Sequence, residues 1–208
     1  KMPNRLDAEE KSIMEGGTHW IDRFGEEGYG GGVVTGLYKK ELLLKSGVKF
    51  PEKILYEDNY WVAILMLYVK RYFHLAEDLY HYRQREDSTV HKKNAMHHVD
   101  RLAIEEMKLK TYHDLHIYER YREIIEQDFL REYYCRTLLT MLVKYDNPPY
   151  DVFCHMNRRV MELYPDYKKT ELAQNEGIGK ILLGLIDRDL DEVQFMEIKK
   201  IILSYYGR

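Results

Sequence analysis

The feature that most constrains the fold of this chain is a four-residue recurrence between residues 121 and 145. Large apolar or aromatic residues, with one threonine, stand at every fourth position, and a second row follows one position behind the first. The first row is Tyr121, Ile125, Phe129, Tyr133, Thr137, Met141 and Tyr145, and the second is Leu130, Tyr134, Leu138 and Leu142. Side chains three and four positions apart share one face of an α-helix, so the two rows predict one long helix buried over a wide stripe.

The sequence on either side of this helix is also predicted to be helical. A helix is expected to begin near Val99, with an apolar face at Leu102, Ala103 and Met107. Two prolines at 148–149 end the long helix, because proline lacks the amide that a helix interior needs, and a further helix follows over residues 151–164. Two more apolar faces come next, the first at Ile178, Ile181, Leu182 and Leu185 and the second at Leu190, Val193, Met196 and Ile201. These patterns predict a helical C-terminal domain over residues 95–208.

Residues 1–94 have a different character. The first 36 are polar and rich in glycine near their end, which is typical of loop and broken helix. Residues 33–44 predict a short strand and then a helix that Gly47 ends, and the acidic pair at 57–58 begins another helix. Residues 71–84 alternate and are rich in aromatic side chains, as in a hairpin or edge strand pair. The predicted fold class is therefore α+β and predominantly helical, with a few short strands before a helical bundle.

Composition excludes several classes of protein. A net charge of −3 and a pI near 6.3 give no electrostatic surface for nucleic acid. Cys135 and Cys154 have no CxxC spacing, so neither a zinc site nor a disulfide framework is indicated, and a reducing compartment fits. No stretch without a charge is longer than residues 59–69, which are fewer than the ~20 apolar residues that a bilayer requires. The sequence thus predicts a globular chain.

Three segments between residues 36 and 90 carry functional information. They are GLYKKELLLKSG at 36–47, FPEKILYEDNYW at 50–61 and LYHYRQREDSTV at 79–90. In this order and spacing the segments resemble the C-terminal half of family-2 glycosyltransferases of the A-type fold. The resemblance is strongest to bacterial enzymes that build capsular, cell-wall or exopolysaccharide sugars, and it covers about a quarter of the chain. It implies short strands from the C-terminal part of the glycosyltransferase domain within residues 1–94.

The resemblance implies roles for five residues. Asp58 matches the general base that takes the proton from the acceptor hydroxyl, and Glu57 would position the acceptor or the base. Arg83, Arg85 and Ser88 match a strand and loop that close over the nucleotide, where guanidinium groups can pair with a diphosphate. Two structural alternatives stay open: acids in a first helical turn also stabilise the helix, and charged residues on an edge strand discourage unwanted pairing.

A divalent cation, Mg²⁺ or Mn²⁺, is implied for the intact enzyme, mainly through a DxD motif at a strand end. This chain has no DxD in such a position, since Asp187 and Asp189 stand between two predicted helices. His91 follows the third segment, where the resemblance suggests a metal ligand, and a surface histidine is the alternative. The sequence therefore predicts metal dependence without supplying the principal ligands.

The nucleotide-sugar half of such an enzyme would precede these segments, and each βαβ unit needs ~30 residues. We therefore expect the chain to be the acceptor-side portion of a longer enzyme, inactive in isolation. The implied substrates are a nucleotide-diphosphate sugar and a glycan or lipid-linked acceptor, with no nucleic acid. The expected location is the cytoplasm, with attachment to the inner face of the membrane and the oligomeric state left open. A non-catalytic helical interaction module, whose tyrosine-rich helices bind a partner, is the alternative function.

Overall fold

The computed structural model describes residues 14–15, 33–72, 79–81, 83, 88–89 and 92–205. They divide into two compact units. Unit 1 lies within residues 1–53 and 57–85, and unit 2 lies within residues 54–56 and 86–208. The predicted domain boundary at residue 94 stays a prediction. None of the described helices has the length and apolar character needed to cross a bilayer.

The described part of the chain is predominantly helical, as predicted. Unit 1 contains α1 (Lys40–Ser46) and α2 (Glu57–Met66). The helices of unit 2 are α3 (Asp100–Asp114), α4 (Arg122–Phe129), α5 (Thr137–Lys144), α6 (Tyr150–Leu163), α7 (Glu171–Gln174), α8 (Ile178–Leu183) and α9 (Glu192–Tyr205). The described part of residues 95–208 is therefore predominantly helical, as predicted.

Strand structure is limited in the described residues to one short ladder. β1 (Met14–Glu15) pairs antiparallel with β2 (Arg71–Tyr72), with Met14 opposite Tyr72. The strand predicted at the start of residues 33–44 is wrong, because Val33–Thr35 form a 3₁₀ turn closed by the Gly36 amide on the Val33 carbonyl. Most of the hairpin predicted over 71–84 lies outside the described residues. The set of short strands expected for an α+β fold thus remains a proposal.

Unit 1 is built on the two helices that the sequence predicts there. α1 ends where Gly47 takes a left-handed conformation, with φ of 66°, which glycine adopts without steric cost. α2 begins at the acidic pair, as predicted, and buries Trp61, Ile64 and Leu65. Met66 and Val69 form an apolar cluster with the partly buried Leu42 of α1 and Val62. Apolar side chains therefore join α1 to α2.

The predicted long helix forms the centre of unit 2 but is not a regular α-helix. α4 continues into a π-helical stretch, Leu130–Arg136, and then into α5, and every residue of both predicted rows is at most 7% exposed. A strict four-residue period drifts by about 40° per step around an α-helix, which has 3.6 residues per turn. A π-helix has more residues per turn, so the stretch keeps both rows turned toward the core. The Thr137 hydroxyl is satisfied within the helix, donating to the Glu132 carbonyl at 3.1 Å.

The faces predicted for the last helices are only partly right. In α8, Leu182 is buried and Ile181 is half exposed. In α9 the predicted face is wrong: Val193 and Ile201 are exposed, whereas Phe195 and Ile202 are buried. Phe195 stacks on Phe153 of α6, with ring centroids 4.4 Å apart. Positions 195 and 202 are two helical turns apart and share one face, so contact with α6 selects that face.

Candidate functional site

Two carboxylates stand at the start of α2 in unit 1. Glu57 and Asp58 lie in its first turn, and both side chains are half-buried. Asp58 Oδ1 accepts a hydrogen bond from the Asn59 amide at 2.9 Å. Within the described part of the chain, neither carboxylate forms an ion pair. Among the described residues, both acids therefore face the start of the helix without a cationic partner.

Aromatic side chains that pack on Trp61 of α2 join the first two sequence segments. Trp61, on the second turn of α2, is only 5% exposed. Phe50 stacks on the Trp61 ring at 4.7 Å, and Tyr38 contacts it edge-on at 5.0 Å. Tyr38 belongs to the first segment, whereas Phe50 and Trp61 belong to the second. Segments that the resemblance treats as parts of one site therefore pack together.

The chain enters α2 through an unusual backbone conformation. Lys53 and Tyr56 both have positive φ, at 59° and 64°, a region that bulky residues rarely occupy. Residues 54–56 belong to unit 2, where the Leu55 amide donates to Asp100 Oδ2 at 3.0 Å. The Arg101 guanidinium lies 4.3 Å from the centre of the Tyr56 ring. Burial lowers the pKa of Arg101, and the nearby Tyr56 acts in the opposite direction.

The third segment is described only in part. Arg83, in unit 1, is exposed, and Ser88, in unit 2, is half-buried. Arg85 and His91 lie outside the described residues. The assignment of Arg83, Arg85 and Ser88 to one nucleotide site stays a prediction, as does the metal role of His91.

Two histidines lie just after the third segment. His97 Nε2 is 3.2 Å from the Thr89 carbonyl, and His98 Nε2 is 2.6 Å from the Lys92 carbonyl. Burial lowers the pKa of His98, against the opposing effect of its hydrogen bond to Lys92. These contacts join His97 and His98 to the residues just before them in unit 2.

The described residues do not fit a divalent cation. Among them, no group of three or more histidine, cysteine, aspartate or glutamate side chains could hold a metal ion. Asp187 instead pairs with Lys168, and that hydrogen bond lowers the pKa of the Asp187 carboxyl. Asp187 and Asp189 lie between α8 and α9 rather than at a strand end. Neither the ion pair of Asp187 nor its place between two helices is typical of a metal-binding DxD motif.

A buried charged cluster in unit 2 was missed by the sequence reasoning. Lys108 Nζ donates to Glu105 Oε2 at 2.8 Å and to Asp128 Oδ2 at 2.9 Å. The predicted apolar face of α3 is wrong in part, because Ala103 and Met107 are exposed while this cluster is buried. The available signal was the spacing of Ile104, Leu109 and Tyr112, which marks a face shared with charged residues.

Burial dominates the electrostatics of this cluster. It raises the pKa of Glu105 to about 7, against the effect of Lys108 and with the help of Asp128. For Lys108, burial alone would lower the pKa, but Asp128 and Glu105 raise it well above its usual value. Two carboxylates thus share one ammonium in a dry environment, and a proton on Glu105 removes the excess negative charge. Glu105 and Lys108 lie on α3 and Asp128 lies on α4, so the cluster joins the two helices, which indicates a structural role.

Comparison with known proteins assigns no family to this chain. No family model, curated protein or solved structure matches the chain. The acidic start of α2 therefore stands on its geometry and on the three sequence segments.

Proposed function

We propose that this chain is the acceptor-side portion of an inverting, nucleotide-sugar-dependent glycosyltransferase, with Asp58 as general base. The observation that carries the proposal is the half-buried acidic start of α2, whose carboxylates form no ion pair with any described residue. A carboxylate engaged in an ion pair must break it before it can accept a proton, whereas Asp58 is under no such constraint in the described part of the chain.

In the proposed reaction, Asp58 accepts the proton of an acceptor hydroxyl as that oxygen attacks the anomeric carbon of the donor sugar. The new carbon–oxygen bond forms while the bond from the anomeric carbon to the diphosphate oxygen breaks. The nucleoside diphosphate leaves with the electron pair, and the attack from the opposite side inverts the anomeric centre. Glu57 orients the acceptor or Asp58 itself, and Arg83, Arg85 and Ser88 contact the donor diphosphate.

The surroundings of α2 support this role. A general base needs a fixed position, and α2 is held by the buried Trp61, on which Phe50 and Tyr38 pack. Aromatic side chains from the first two of the three segments meet at this tryptophan. The proposal includes an A-type α+β domain whose donor-binding half lies in a longer protein, acting in the cytoplasm on a glycan or lipid-linked acceptor.

The test is the variant Asp58→Asn in the complete gene product. Release of nucleoside diphosphate is measured from a panel of nucleotide-diphosphate sugars, with Mg²⁺ or Mn²⁺ and a panel of glycan and lipid-linked acceptors present. Asparagine keeps the size and much of the helix-terminus stabilisation but cannot accept the proton, so turnover should fall by about 10²- to 10⁴-fold.

Two further measurements make this test decisive. The melting temperature of Asp58→Asn should stay close to that of the parent, because asparagine keeps a side-chain oxygen that can accept from the Asn59 amide and the loss of one charge in a first helical turn costs only about 0.3–1 kcal/mol. The control Asp187→Asn changes a carboxylate paired with Lys168 and should leave turnover intact. Parent-like turnover in Asp58→Asn would show that Asp58 is not the base.

A second candidate function is a non-catalytic helical interaction module. It is favoured by exposed apolar side chains on α8 and α9, where Ile181, Val193 and Ile201 are 50%, 69% and 65% exposed. The tyrosines of the long helix do not contribute, because Tyr133 and Tyr134 are fully buried. A complete gene product that releases no nucleoside diphosphate from any donor would support this candidate over the first.

A further inference from the structure

We infer that Phe50 binds the acceptor, and that the reacting hydroxyl belongs to an uncharged sugar ring packed on the exposed face of Phe50. The inference rests on the proposed function, and it names the class of acceptor that this function leaves open. Phe50, Glu57, Asp58 and Trp61 all lie within unit 1. No residue of unit 2 takes part.

Phe50 is fixed in position although it lies at the surface. Its ring stacks on Trp61, with centroids 4.7 Å apart and planes 7° from parallel. Trp61 is only 5% exposed, whereas Phe50 is 42% exposed. Because one face of the Phe50 ring lies against Trp61, its solvent exposure is on the opposite face and the edges. Pro51 follows and restricts the Phe50 backbone to extended conformations. Phe50 therefore presents a flat apolar surface that a buried residue holds in place.

The stacked rings lie beside the acidic pair. Glu57 and Asp58 precede Trp61 by four and three positions on α2, so the three side chains share one face of the helix. Large side chains on a helix lean toward its amino-terminal end, which directs Trp61 toward the first turn. Phe50, stacked on Trp61, therefore lies next to the two carboxylates. One end of α2 combines an exposed aromatic ring with two acids that form no ion pair with the described residues.

This combination of groups is complementary to a sugar ring. A pyranose presents C–H groups on one face and hydroxyl groups around its rim. The face of an aromatic ring carries partial negative charge and attracts C–H groups, whereas carboxylate oxygens accept hydrogen bonds from hydroxyls. A sugar packed on Phe50 can donate one hydroxyl to Asp58, which accepts its proton in the reaction, and a second hydroxyl to Glu57. Phe50 thus supplies the apolar part of an acceptor site whose polar part is the acidic pair.

Charge argues against a lipid phosphate as the reacting group. Such an acceptor carries its nucleophilic oxygen on an anion, which Glu57 and Asp58 would repel. No cation among the described residues pairs with these acids to offset the repulsion. A lipid phosphate also lacks the C–H face that packs on Phe50. The sugar ring can belong to a free glycan or to a glycan on a lipid carrier, because Phe50 and the acidic pair contact only the sugar.

The experiment measures release of nucleoside diphosphate by the complete gene product, with the donors and cations named above. The acceptor probes are methyl pyranosides of hexoses and N-acetylhexosamines, methyl glycosides of disaccharides built from them, and farnesyl phosphate as a lipid phosphate. We expect release with at least one glycoside and none with farnesyl phosphate.

For the glycoside that reacts, Phe50→Ala should raise the acceptor KM by about ten- to a hundredfold, because one apolar face of the sugar stays in water. The kcat and the donor KM should stay unchanged, since packing on Phe50 holds the acceptor equally in the ground state and the transition state. Phe50→Tyr keeps the ring and should retain the parent KM. Phe50→Leu keeps an apolar contact with Trp61 without an aromatic face and should also raise the acceptor KM.

Tyr68→Ala is the matched control. Tyr68 is 41% exposed, nearly the same as Phe50, but it lies just beyond the other end of α2, which finishes at Met66. Its truncation removes a similar aromatic surface away from the acidic pair and should leave the acceptor KM unchanged. A parent-like acceptor KM in Phe50→Ala, an equal rise in Tyr68→Ala, or transfer to farnesyl phosphate alone would overturn the inference and leave the proposed function intact. A parent that transfers sugar to none of the acceptors would instead overturn the proposed function, and the inference with it.

Discussion

Carboxylates occupy two contrasting settings in this chain. Glu57 and Asp58, at the start of α2, are half-buried and form no ion pair with the described residues. Glu105 and Asp128, in unit 2, are buried and share the ammonium group of Lys108. In the first setting, no described cation engages the carboxylate oxygens. The second engages them in the contact between α3 and α4.

The contrast shows that burial and pairing, rather than residue type, separate a candidate base from a structural acid. Desolvating an ion pair is costly, and the pair is tolerated only while its partners offset one another. Removing a charge from the buried cluster should therefore destabilise the fold strongly. Removing one from the start of α2 should hardly affect stability.

The largest stability effect is expected for Lys108→Met. This change leaves Glu105 and Asp128 in a dry environment without their shared ammonium. Breaking a buried pair in this way typically costs 3–5 kcal/mol, so the free energy of unfolding should fall by about 3 kcal/mol or more. Urea denaturation of the chain measures the change.

The control for that measurement is Lys110→Met on the same helix. Lys110 pairs with Asp114 four residues away, but both side chains are exposed, at 74% and 59%. An exposed pair of this kind contributes little. If Lys108→Met were no more destabilising than Lys110→Met, the cluster would not be a structural element and the contrast between the two regions would fail.

A smaller, pH-dependent effect is expected at Glu105. Burial raises its pKa from 4.5 to about 7, so the folded chain holds a proton that the unfolded chain has released between those values. The stability supplied by neutral Glu105 is therefore complete below pH 4.5 and is lost as the pH rises through about 7. The charged groups that act on Glu105 are Lys108, Asp128, Glu132 and Arg101.

The variant Glu105→Gln isolates this contribution. Glutamine stays neutral at every pH, so the variant should gain stability relative to the parent as the pH rises, by about 2 kcal/mol between about pH 5 and pH 8. Urea denaturation of both proteins at the two pH values measures the difference. An identical difference at both values would mean that Glu105 is ionised alike in the folded and unfolded chain.

The sequence predicted the helices better than their faces. The start of α2 at Glu57 and the end of α1 at Gly47 follow from local signals, namely acids in a first turn and a glycine free to take positive φ. For the buried face of α3, only the apolar residues Ile104, Leu109 and Tyr112 gave a signal. Its charged residues look like an ordinary exposed surface until α4 supplies Asp128 opposite Lys108.

The same limit applies to the candidate site. Glu57 and Asp58 could be identified from the sequence because the acidic pair and its flanking segments are contiguous. The contacts of Leu55 with Asp100 and of Tyr56 with Arg101, within unit 2, could not, because the residues that meet are 45 positions apart and belong to different sequence patterns. The positive φ of Tyr56 was equally hidden, since nothing in a tyrosine signals a left-handed conformation.

The smallest effect is expected for Glu57→Gln and tests the other side of the comparison. Glu57 is half-buried and has no ion pair in the described part of the chain, so its main electrostatic contribution to folding is the interaction of its charge with the amino-terminal end of α2. Glutamine removes the charge and keeps the shape, which should cost about 0.5 kcal/mol, less at high salt because the interaction is screened. Urea denaturation at low and high salt measures both quantities, with Glu192→Gln, in the first turn of α9, as a matched change at another helix start. A loss of several kcal/mol, insensitive to salt, would instead place Glu57 in the same class as Glu105 and remove the argument that the acids of α2 are free for chemistry.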